Sequence, residues 1–128
     1  MNTVRKAEYY TYCSQNHASK ILTSLFESKA YADVTIDVNG VSFKCHRAVL
    51  AANSVYFKTL FDFNNNDTST QKSNLSFPNF DSAVFQKILT FLYVGSIAMR
   101  EDDVGDILEA VDFLQVQLFV FILSYCID

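Results

Sequence analysis

A chain of 128 residues is long enough for one hydrophobic core and too short for two. Half of its residues are apolar and 19% are charged, which excludes a disordered chain, and a formal charge of −4 leaves no basic stripe for nucleic acid. The longest apolar run, Leu118–Leu123, is far short of the roughly 20 residues that cross a bilayer, and no apolar run opens the chain as a signal peptide would. Three cysteines without framework spacing suit a reduced setting, so the expectation is an intracellular protein touching neither nucleic acid nor membrane. An apolar share at the top of the usual range suggests that a partner covers part of the surface.

Residues 1–15 lack helical periodicity but carry Tyr9, Tyr10 and Tyr12, which suits an extended arm that packs on something. From Asn16, a candidate cap, the apolar positions Ala18, Ile21, Leu22, Leu25 and Phe26 recur on one helical face. Two alternating runs, Ala32–Val38 and Val41–His46, are joined by Asn39-Gly40, the strongest short hairpin signal because both turn residues tolerate positive φ. A short helix with Ala48, Val49, Ala51 and Ala52 follows, then one capped by Ser54 and carrying Tyr56, Phe57, Leu60 and Phe61.

The stretch from Phe63 to Asn74 is polar and turn-prone, and predicts a break in regular structure. Asn74–Phe77 predicts a strand ended by the single proline, Pro78. Asp81 caps a helix bearing Val84, Phe85, Ile88, Leu89 and Leu92, and Gly95 ends it. Asp102 and Asp103 stand at the positive end of a further helix, with Val104, Ile107, Leu108, Val111 and Leu114 on its apolar face. Residues 117–128 are apolar on nearly every side, either a buried last helix or a second contact tying assemblies together. Early strands among five or six helices make an α+β arrangement, a small sheet flanked by helical hairpins.

No residue grouping supports catalysis. Cys45 and His46 are strand neighbours that face opposite ways, so they cannot act as nucleophile and base. Cys13, His17, Cys45 and His46 lack the Cys-x2-Cys spacing of a zinc site, and an adjacent Cys-His pair chelates poorly. Glu101–Asp103 reads as a solvated helix start, and three glycines cannot make a phosphate loop. The expectation is a non-enzyme with no cofactor and no metal.

Three blocks then carry a family resemblance. Asp33-Val34-Thr35 with His46-Arg47-Ala48-Val49-Leu50 and Ser54-Val55-Tyr56-Phe57 forms the first. Phe85 through Ile97, with Tyr93-Val94-Gly95, and Leu108 through Val116 form the second and third. In this order and spacing they resemble a BTB (POZ) domain over about residues 16–128, with residues 1–15 as an arm that other copies exchange as a strand. The leading Tyr10–His17 segment with Ile21-Leu22 resembles the long form found in transcription regulators, including the Tramtrack-like group, although Ser14 stands where that group carries tryptophan.

The resemblance implies the BTB/POZ fold with an N-terminal dimerisation helix. It implies a homodimer or larger oligomer joined through Tyr10, Tyr12, His17, Ile21, Leu22 and Leu25, unless the leading helix simply folds back on its own core. It further implies recruitment of a corepressor or other regulatory protein, and the nucleus in preference to the cytosol. Asp33 and Arg47 match a charged pair that lies in the groove between subunits of such regulators, or they form an ordinary structural ion pair. His46 is expected to bond a backbone carbonyl. The second reading is a cullin-3 adaptor, but the hydrophobic-x-glutamate element of those members is replaced by Phe61-Asp62-Phe63-Asn64. No zinc finger or substrate module follows Asp128, so a chain that is whole would pair and bridge without reading a target itself.

Overall fold

Asn39 and Gly40 adopt φ of +50° and +88°, the left-handed pair that a tight hairpin demands. They join β1 (Val34–Val38) to β2 (Val41–Cys45) in an antiparallel ladder running from Val34 opposite Cys45 to Val38 opposite Val41. This computed structural model describes residues 9–65, 74–77 and 80–116. The expectations for 66–73, Pro78 and 117–128 lie outside those residues. β3 (Asn74–Phe77) runs parallel to β1 on its other side, giving the strand order β2-β1-β3. A parallel neighbour needs a long crossover. Two helices supply it: α2 (Arg47–Asn53) and α3 (Val55–Asn65).

Side-chain alternation sets the sheet's inner face. Val34, Ile36 and Val38 of β1 and Phe43 and Cys45 of β2 are buried, while Ser42 and Lys44 face outward. On that face α4 (Ser82–Val94) sets Phe85 against Phe43, and α3 sets Tyr56 and Phe57 against Phe77. α5 (Val104–Leu114), entered through a 3-10 turn at Glu101–Asp103, packs on α3 and α4. Asp81 caps α4 as the sequence predicts, its Oδ1 accepting the N–H groups of Ala83 and Val84, and Gly95 closes it at φ +84°. Ser54 caps α3 through Phe57 N–H and also donates to the carbonyl of Leu114, tying α3 to the end of α5. Lys87 pairs with Asp103, which also accepts the N–H of Arg100; these bonds hold the Asp103 carboxyl below its usual range. Their contribution is present at neutral pH and is lost as pH falls through the lowered value.

Three local expectations need correction. The break does not begin at Phe63, because α3 continues through Asn65: propagating an existing helix adds a hydrogen bond for each residue fixed, which outweighs a modest asparagine propensity. On α2 the inward residues are Val49 and Leu50, whereas Ala48 and Ala52 are exposed. Asn16 occupies the cap position of α1 (His17–Ser28) but makes no side-chain cap bond.

Candidate interaction surface

The leading helix α1 is amphipathic yet has no buried residue. Its apolar stripe divides in two. Leu22 and Phe26 pack against the core, with the Phe26 ring 5.1 Å from that of Tyr93 on α4. Ile21 is half exposed, at 50%, and Leu25 is only partly covered. His17 opens the helix in an exposed position, and Tyr10 and Tyr12 are exposed in a segment without regular structure. The fold-back on the chain's own core therefore accounts for one edge of the stripe and leaves the other open.

A hydrogen-bond network ties the turn after α1 to α4 and to the start of α2. The Tyr93 hydroxyl accepts the backbone N–H of His46 at 2.9 Å and lies 2.7 Å from His46 Nδ1. His46 Nε2 lies 2.6 Å from the Ala30 carbonyl, in the turn just after α1. A carbonyl only accepts, so Nε2 carries the proton, and Nδ1 then accepts from the tyrosine hydroxyl. Every polar atom of the trio is thereby satisfied, and burial raises the Tyr93 phenol above its ordinary value. His46 bonds a backbone carbonyl as expected; the sequence reading missed Tyr93, although a tyrosine one turn beyond Leu89 on the inner face of α4 was the signal.

The sequence-predicted pair Asp33 and Arg47 does come together, through the main chain. Asp33 Oδ1 accepts the Arg47 backbone N–H at 2.8 Å, so the carboxylate closes the start of α2 where His46 offers no side-chain cap. The Arg47 guanidinium lies 5.7 Å from the centre of the Phe61 ring, itself buried and stacked on Phe57.

Beyond Gly95 the chain is extended in its burial pattern but belongs to no strand of the sheet. Ile97 and Met99 pack on the core while Ser96, Ala98 and Arg100 are exposed, the period-two alternation of a strand. Neither cysteine in the described residues is in a disulfide: Cys13 is exposed, and Cys45 is buried with its thiol donating to the Phe43 carbonyl. Burial pushes the Cys45 thiol up to about 12, opposed in part by the charge of Lys29. Iodoacetamide at neutral pH is expected to modify Cys13 rapidly and Cys45 only after unfolding, read by peptide mass mapping.

Among the described residues no cluster of His, Cys, Asp and Glu could hold a metal, and no helix is long and apolar enough to cross a membrane. The described surface therefore offers contact faces: the open edge of α1, the tyrosine segment, and the alternating run after Gly95.

Comparison with known proteins agrees with this architecture. Residues 22–126 match the family profile described as BTB/POZ domain. Among curated proteins, rat Nucleus accumbens-associated protein 2 is 38% identical over 109 residues, covering 82% of this chain and 18% of that protein. Kelch repeat and BTB domain-containing protein 2 of Pongo abelii is 32% identical over 96 residues, covering 75% and 15%. The chain thus spans about a fifth or less of these relatives. The solved BTB domain of zebrafish PATZ1 superposes with a TM-score of 0.78 at 28% identity, covering 93% of this chain and 98% of that one. That of human gigaxonin has a TM-score of 0.76 at 21% identity and speaks to the fold alone. A profile match running from α1 past the end of α5, on the same small sheet and helices, makes this chain a member of the BTB/POZ domain family, a protein–protein interaction module.

Proposed function

We propose that this module pairs with a second copy of itself and that the pair recruits regulatory proteins in transcription or chromatin control, in the nucleus. One observation carries the pairing: an amphipathic first helix with no buried residue, its Ile21 edge open beside a tyrosine-bearing arm. Such a face is stable in water when a symmetric copy covers it, because one patch then serves both subunits. The alternating run 96–100 supports a strand added from the partner's arm, where main-chain bonds would give affinity and tyrosines packing. Asp33 and Arg47 would stand at the edge of the paired surface. The regulatory role rests on the long-form resemblance of Tyr10–His17 with Ile21-Leu22.

Sedimentation equilibrium tests the pairing: a particle of twice 14.5 kDa or more is expected at micromolar concentration. A monodisperse species of single-chain mass would overturn it. The second reading, a cullin-3 adaptor, draws on relatives that carry Kelch repeats. Against it, the Phe61-Asp62-Phe63 stretch is helical and shows solvent an exposed Phe63 in place of a glutamate. Titration with the cullin-3 N-terminal domain is expected to give no saturable heat; a stoichiometric isotherm would favour the adaptor.

A further inference from the structure

A groove of about 420 Å³ lies between β3, the start of α4 and α5. Its floor is aromatic. Phe80 sits 5.9 Å from Phe77 and 5.1 Å from Phe113, and Phe113 sits 5.0 Å from Tyr56, all as tilted or edge-on rings. Val84 and Ala110 complete the apolar lining, and Phe113 remains 49% exposed although it crowns this cluster. The rim is acidic: Asp81, Asp106 and Glu109 contribute carboxylates, and no lysine or arginine stands among the lining residues. One oxygen of Asp81 is engaged in capping α4, whereas Asp106 and Glu109 are exposed on α5.

We infer that this groove docks a peptide segment of a partner protein in which a large apolar anchor is flanked by lysine or arginine. The volume lies in the range that takes one or two large side chains. Aromatic rings packed edge-on against one another give such an anchor area at reduced ordering cost, because neighbours already hold them. The one-signed rim supplies the charge argument: it attracts a basic flank and repels an acidic one, and the chain's net charge of −4 acts in the same direction. This inference rests on the reading of the domain as a recruiting module, but not on its pairing face. No residue that lines the groove belongs to α1 or to the tyrosine segment before it. The groove and the proposed pairing face thus share no residue.

The probe is a fluorescein-labelled peptide, KRSLWSKR, titrated against the full chain by anisotropy and by amide chemical shifts. EDSLWSDE and KRSSSSKR serve as controls. Saturable binding of the first peptide alone is expected, with shifts confined to Phe77, Phe80, Val84, Ala110 and Phe113. Glu109→Lys, an exposed mid-helix change that leaves the fold intact, should weaken it about tenfold and improve binding of the acidic control. Phe113→Ser should weaken it at unchanged particle mass. The inference is overturned if both charged peptides bind alike, if shifts fall on α1, if Glu109→Lys changes nothing, or if no peptide saturates at millimolar concentration. Sedimentation reports on pairing separately, so either idea can fail without the other.

Discussion

Replacing Ile21 and Leu25 together by aspartate is expected to reduce the particle to single-chain mass while leaving the fold intact. Neither residue belongs to the buried core, and Ile21 is half exposed. In the isolated chain neither change removes a core contact, and with Leu25 only partly exposed the pair should cost about 1 kcal/mol of stability. In a dry interface between copies, each buried carboxylate costs at least about 2 kcal/mol. Two on each subunit put four in a symmetric interface, about 8 kcal/mol in all, which should weaken association by about a millionfold. Sedimentation equilibrium reads the mass and circular dichroism the fold. The contrasting change, Leu22→Asp with Phe26→Asp, strikes the edge that packs on the chain's own core and is expected to unfold the domain. If both double variants keep the parent mass and melt alike, α1 is not the joint.

Tyr93→Ala is expected to destabilise the domain by about 3–5 kcal/mol, a large share of the roughly 5–15 kcal/mol that holds such a domain together. The ring is 2% exposed, and Phe26 of α1 rests against it. Tyr93→Phe separates ring from hydroxyl. It keeps the packing but deprives the His46 N–H and Nδ1 of their partner, at about 1–3 kcal/mol. Because the same histidine grips the Ala30 carbonyl beside α1, the Phe variant should also loosen the first helix. Urea unfolding measures the loss, and hydrogen exchange across residues 22–30 reports the loosening. A Phe variant as stable as the parent would mean that the hydroxyl is not holding the network.

The local elements were legible where their cause is local. The Asn39-Gly40 turn, the caps at Ser54 and Asp81 and the stop at Gly95 each depend on a few neighbouring atoms, and each stands where the residues imply. The stripe of α5 was also readable, since Ile107, Val111 and Leu114 follow the helical period. Burial of Phe91 and Tyr93 was not. α4 is flanked by α1, the sheet and α5, so more than one face is inside, and periodicity predicts only one. The aromatic groove was equally hidden, because Phe77, Phe80 and Phe113 come from three elements and no spacing in the chain announces their approach.

What the amino-acid order determined by itself is the main set of elements and the family they compose, since hydrogen-bond caps, positive-φ turns and hydrophobic periods act over a few residues. Tertiary structure alone decided which edge of α1 is spent inward on Tyr93 and which is left open at Ile21, and how Asp33 meets the main chain of Arg47. Those outcomes depend on distances between segments far apart in the chain. A hydrophobic stripe states that a face must leave water; only the packed neighbours determine what covers it.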